Sequence, residues 1–239
     1  MALHYDSPRF TTDIDFSTPE AFTEQAEKEV IQLLSERLIV VSSELDYDID
    51  CRLQGCKVKP SRSKTYVSIF MSIGFAERGR PEHAKLMRGQ SPHTVSIDYN
   101  FRESIPQVEE VTIDADGVLR VYALPTLVAE KFRSLLQQPI RNRNRRQDVF
   151  DIYHLLNERS ELRLEGCLRT VLQDLIIKCA DRDVPVNADS IDQPAVHDMA
   201  ERDYGTLESE VTGDLPDFEE AFTQIRTYYR SLPWDSLDA

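Results

Sequence analysis

The sequence predicts an α+β protein, with a mixed β-sheet and helices over residues 1–123 and a helical domain over 124–239. Two patterns predict this. Before Ala123 the apolar residues mostly alternate, with the period of two that half-buried strands require. After it they recur every three to four residues, as one face of a helix does. With 239 residues, 41% hydrophobic and 29% charged, the chain is globular in composition and long enough to bury a real core.

The first strand is expected over Arg9–Phe16, with Ile14 and Phe16 facing the core. A helix then runs from Ser17 to Leu38. Ser17 and Glu20 have capping-box spacing, and Phe22, Ala26, Val30, Leu33 and Leu34 form its apolar face. Strands follow over Asp48–Val58 and Lys64–Phe75, where Val67, Ile69, Met71 and Ile73 alternate. In His93–Phe101, Val95, Ile97, Tyr99 and Phe101 share one face, and Ser96, Asp98 and Asn100 the other. Val108–Ala123 reads as a hairpin turning at Asp114–Gly117. Helices are expected over Leu124–Gln138 (Pro125 in its first turn), Arg146–Glu158, Leu168–Ala180 and Leu215–Leu232. The last places Phe218, Phe222, Ile225, Tyr229 and Leu232 on one side. The segment between Val184 and Asp214 is acidic and less regular.

Net charge is −14, from 42 acids and 28 bases. From Asp181 onward there are 15 acids and 4 bases, so that stretch carries −11 of the total. This balance opposes non-specific nucleic-acid binding but leaves room for a local basic site at Arg141–Arg146. No apolar run reaches the roughly 18 residues of a membrane helix, and the first residues carry no export signal. A cytoplasmic protein is expected. Cys51 and Cys56 have a metal-like gap, but no second pair completes a site, so they read as ordinary thiols.

Asp13 and Asp15 alternate on a strand and so face one side. Two carboxylates this close repel unless a proton or a cation intervenes. Oxygen ligands so spaced suit Mg²⁺ or Mn²⁺, with Asp98 as a third from the polar face of its own strand. A solvated strand face is the bland reading of each. Lys131 falls inside the stripe of Leu124, Leu127, Val128 and Leu135, so it must snorkel, find a carboxylate or project into a cleft. Its stem suits that stripe, and Lys131→Met is expected to keep the fold. Asp148 opens its helix, where it would serve as a cap with Asp151 at the third position.

Together "SPRFTTDIDF", "VSIDYNF", "LPTLVAEKF" and "RRQDVFDIYHLL" resemble the AbiEii/AbiGii toxin nucleotidyltransferases, of the DNA polymerase β-like superfamily. The resemblance runs over most of the chain. It implies a nucleotidyltransferase-like core at 1–123 and a metal-dependent toxin of a toxin–antitoxin (abortive infection) system. Such an enzyme transfers NMP from a nucleoside triphosphate to an acceptor such as tRNA, beside a cognate antitoxin. Asp13, Asp15, Lys131 and Asp148 would be catalytic, with Asp13, Asp15 and Asp98 on the metal. Arg9, Thr11, Thr12, Arg143 and Arg146 would bind substrate. The family carries a glycine-rich turn ending in Thr-Ala-Leu or Ser-Ala-Leu before its D-x-D strand. Here Met1-Ala2-Leu3 stands in that place, through a start placed late or a turn lost. The alternative reading is thus a degenerate binding module of the same fold. A third, another D-x-D enzyme such as a glycosyltransferase, lacks any sugar-nucleotide domain.

Overall fold

The computed structural model describes residues 5–11, 13–112 and 117–237. The chain forms two compact units: Thr11–Glu103, and Met1–Phe10 together with Ser104–Ala239. The first is inserted between two pieces of the second. The division falls before the hairpin rather than at Ala123. Tyr122 explains why the hairpin goes with the helices. Its carbonyl accepts the Tyr5 hydroxyl at 2.9 Å, and its ring lies 4.3 Å beneath the Lys178 ammonium.

The sheet unit contains β1 (Asp13–Thr18), α1 (Glu24–Glu44), β2 (Ile49–Lys59), β3 (Ser68–Glu77), α2 (Pro81–Leu86) and β4 (Thr94–Phe101). The strand order is β1-β4-β3-β2. β1 pairs with β4 in parallel and the other neighbours are antiparallel, so the sheet is mixed as expected. Ile69, Met71, Ile73, Ile97 and Phe101 form its core, against Phe22, Ala26, Val30, Leu34 and Leu38. Each contributes about 1.5–3 kcal/mol of burial per large side chain, before chain entropy is charged against it.

Three expectations are corrected here. The first strand begins at Asp13, and its Ile14 and Phe16 are 46% and 41% exposed. Register pairs them with Ile97 and Tyr99, so they do lie on the apolar face. However, β1 is an edge strand, and α1 packs along β2 at the opposite edge. Helix α1 also starts later than the capping-box spacing suggests. Thr23 is its cap, its hydroxyl accepting the Ala26 amide at 3.0 Å, while Ser17 and Thr18 end β1. Leu33 points outward, 58% exposed, because the inward face runs Ala26, Val30, Leu34, Leu38.

The helical unit contains β5 (Val108–Thr112), β6 (Val118–Tyr122), α3 (Leu124–Arg141), α4 (Arg146–Glu158), α5 (Glu165–Ala180), α6 (Pro194–Glu201) and α7 (Phe218–Arg230). β5 and β6 pair antiparallel. The turn expected at Asp114–Gly117 lies almost wholly outside the described residues. α3 continues past Pro139 and stops at Asn142, whose φ of 49° is the left-handed conformation of a helix end. Its Val128, Phe132 and Leu135 pack with Ile152 and Leu155 of α4, Leu175 of α5, and Phe222, Ile225 and Tyr229 of α7. Phe132 stacks on Tyr228 at 6.1 Å and meets the edge of Tyr229 at 5.3 Å. The N-terminal segment is laced into this unit. Arg9 bridges Val211, the Phe10 amide donates to the Glu210 carbonyl at 2.8 Å, and Thr212 donates to Pro8 at 2.9 Å. All four cysteines are free thiols. Among the described residues, no helix is long and apolar enough to cross a membrane.

Candidate active site

The carboxylates of the sheet unit are arranged by register. Asp15 is paired with Asp98 across the parallel β1–β4 ladder, and Asp13 with Ser96. Side chains paired in this way share a face, and so do alternate residues of one strand. Asp13, Asp15 and Asp98 therefore occupy one face, opposite to Ile97 and Phe101. The Thr11 hydroxyl donates to Asp13 Oδ1 at 2.5 Å, which fixes that carboxylate's orientation. Thr12 lies outside the described residues. In the present side-chain arrangement, no three metal-ligating side chains among the described residues are gathered around a common point. As donor types, three carboxylates on a common face are those that suit a hard divalent cation, and Asp13 and Asp15 are exposed.

In the helical unit a second group forms around Lys131. Its stem is buried in the stripe, and its ammonium lies 2.6 Å from Asp151 Oδ2 and 3.2 Å from Asp148 Oδ1. Arg9 grips the same Asp151 with two bonds, Nε to Oδ1 at 3.0 Å and Nη2 to Oδ2 at 3.1 Å. Two cations thus face two carboxylates. Burial alone would lower the Lys131 pKa, but Asp151 and Asp148 outweigh it and the value is raised. Burial pushes Asp151 up, yet Lys131 and Arg9 hold it below the usual carboxylate range. Asp148 Oδ2 is buried with no hydrogen-bond partner.

Asp148 is not the helix cap expected of it. It is the third residue of α4, after Arg145 at the cap position. Asp151 was read as part of that cap and is instead fully buried and central to the network. A signal for it exists: it sits among Val149, Ile152 and Leu155 of a buried face, as Lys131 does in its own stripe. A further group in this unit has Arg133 bonded to Glu130 and donating to Gln137 at 2.6 Å, with Lys178 3.2 Å from Glu130.

The basic segment is divided in its roles. Arg143 is exposed beyond the end of α3, while Arg146 is half-buried and paired with Glu210 at 2.8 Å. Partial burial and then the neighbouring Arg133, Arg145 and Arg143 lower the Arg141 pKa, which marks a true concentration of positive charge. Arg9 is committed to Asp151, so what it offers directly is a fixed carboxylate position.

Residues 1–224 match the family model described as "Nucleotidyl transferase AbiEii toxin, Type IV TA system". The chain belongs to the AbiEii nucleotidyltransferase toxin family. As an AbiEii protein it is a nucleotidyltransferase, with the α+β fold expected of it. Two solved structures from Helicobacter pylori are similar to this AbiEii chain. A protein described as a candidate nucleotidyltransferase is 14% identical at a TM-score of 0.43, over 99% of this chain and 83% of its own. JHP933 is 12% identical at a TM-score of 0.40, over 98% and 87%. Likeness at this level carries no residue roles. No curated protein matches the AbiEii chain.

Proposed function

We propose that this toxin is a metal-dependent transferase that moves NMP from a nucleoside triphosphate onto an RNA acceptor such as tRNA, with a cognate antitoxin as its biological partner. The observation that carries this is the register pairing Asp15 with Asp98, which adds a third carboxylate to the face of Asp13 and Asp15. These three would hold Mg²⁺ or Mn²⁺, which when bound supplies Lewis acidity for the phosphate oxygens. The Thr11 hydroxyl orients Asp13 for that task. In the transfer, the acceptor oxygen bonds the α-phosphorus as the bond to pyrophosphate breaks. The hydroxyl proton passes to a carboxylate of this face. Lys131, held in the helical unit by Asp151 and Asp148, is read as a phosphate-binding cation. Asp148, with one oxygen on Lys131 and the other unpartnered, orients the lysine or an acceptor group. Arg143 attracts the substrate through its exposed charge, and Arg146 joins it where its bond to Glu210 gives way.

The test is transfer of labelled NTP to cellular RNA by the wild type and by Asp13→Asn and Asp15→Asn. Each carboxamide keeps its shape but removes a charged ligand, so transfer should fall at least a hundredfold with thermal stability unchanged. Full transfer by either variant overturns the metal assignment. A wild type with no transfer to any RNA favours the binding module.

A further inference from the structure

A run of this acidic chain is free of acids altogether. Between Asp50 and Glu77 there is no Asp or Glu, but Arg52, Lys57, Lys59, Arg62 and Lys64 are all present. The run covers β2, the loop after it and most of β3. At the loop lies a cleft of about 260 Å³ lined by Phe22, Arg62, Ser63, Lys64, Thr65 and Arg102. Arg62 is held in place by two bonds to Glu27, at 2.7 and 2.9 Å, which offset much of its charge. No ion pair among the described residues engages Lys64 or Arg102. Arg102 is placed at the cleft by an unusual backbone. Its φ of 55° is left-handed, and the turn is pinned by its amide to Glu20 at 2.9 Å and by the Glu103 amide to Thr18 at 3.0 Å. Phe22 backs the cleft but turns its ring into the core, edge-on against Phe101 at 5.4 Å, so the open surface of the cleft is polar.

Uncompensated cations and hydroxyl donors make up the chemistry that holds the phosphate backbone of a nucleic acid. We propose that this cleft binds the phosphodiester backbone of the acceptor RNA, with Lys64 and Arg102 on phosphates and the Ser63 and Thr65 hydroxyls beside them. The inference rests on the reading of RNA as acceptor but assigns a place for it that is separate from the carboxylate face. The triphosphate of a nucleotide shares the phosphate chemistry, and the experiment separates the two.

Binding of a fluorescent single-stranded RNA is titrated in EDTA at several salt concentrations, alongside binding of a fluorescent NTP analogue, so that neither readout needs catalysis. Lys64→Gln combined with Arg102→Gln should weaken RNA binding roughly tenfold or more and reduce the salt slope by about 1.4, for two lost phosphate contacts. NTP affinity should not move. Lys64→Arg with Arg102→Lys should bind RNA as the wild type does, which excludes a folding defect. RNA affinity and salt slope unchanged in the glutamine variant overturn the proposal. So does a fall in NTP affinity alone, which gives the cleft to the triphosphate, and so does a wild type that binds no RNA. Failure of transfer in Asp13→Asn, with RNA binding intact, bears only on the carboxylate face.

Discussion

At the scale of the residue, Lys131 shows how a sequence expectation can identify a position and misjudge its energetics. The apolar stripe marked it as unusual, and it is buried as that stripe requires. The expectation that methionine would be harmless does not survive its partners. Lys131→Met leaves Asp148 and Asp151 buried, with Arg9 bonded to Asp151 and no cation bonded to Asp148 among the described residues. Breaking such a group costs about 3–5 kcal/mol, because a buried charge is left unpaired. Urea unfolding should show that loss, and Lys131→Met/Asp151→Leu should recover part of it. The pH dependence follows from the same group. Asp151 is depressed, so its contribution is present above its unfolded value of about 3.9 and lost as pH falls through the folded one. Lys131 is raised, so its contribution is present below about 10.4 and lost as pH rises through its higher folded value. The difference in melting temperature between wild type and Asp151→Asn should therefore narrow below about pH 4; a constant difference down to pH 3 would count against the network. Asp151 escaped notice because an acid near a helix start suits both a cap and a buried pair. Only a partner contributed by another element decides between them.

At the scale of the element, strands and helices were legible wherever one face is covered within its own unit. The alternation in β3 and β4 and the stripe of α7 stand as read, since each faces a continuous core. β1 was misread because alternation reports which residues share a face, and not whether anything covers that face. Similarly, the polar face of β4 was visible in the sequence, but its pairing with a strand more than 80 residues earlier was not. Local sequence does not encode which strands become neighbours. The start of α1 shows two capping signals in competition, with Thr23 prevailing because β1 runs on through Thr18. Thr23→Ala should cost about 1 kcal/mol in urea unfolding. Ser17→Ala should stay within about 0.5 kcal/mol. The reverse ranking would place the cap where its spacing first suggested.

At the scale of the molecule, two separate hydrophobic clusters imply two cooperative units. Scanning calorimetry should resolve two transitions. Ile225→Ala removes a fully buried side chain from the helical core and should lower one of them, at a cost of about 2–5 kcal/mol. Met71→Ala should lower the other by a similar amount. A single transition that both variants shift equally would show that the cores melt as one. The change in apolar period set a boundary at the passage from strands to helices, near Ala123, whereas the compact units divide before the hairpin. The hairpin crosses that boundary because its anchors are the Tyr5 hydroxyl and the Lys178 ammonium, neither adjacent to it in sequence.

The lacing of Tyr5–Phe10 into the helical unit sets an order of events during synthesis. Arg9 is made before its partner Asp151, which follows 142 residues later. At about 5–20 residues per second that interval is roughly 7 to 28 seconds. The inserted sheet unit is complete in the nascent chain well before its host, whose first segment must stay unengaged until α4 and the stretch around Val211 appear. Asp151 thus takes one partner, Lys131, from the helix made just before it, and the other, Arg9, from 142 residues upstream.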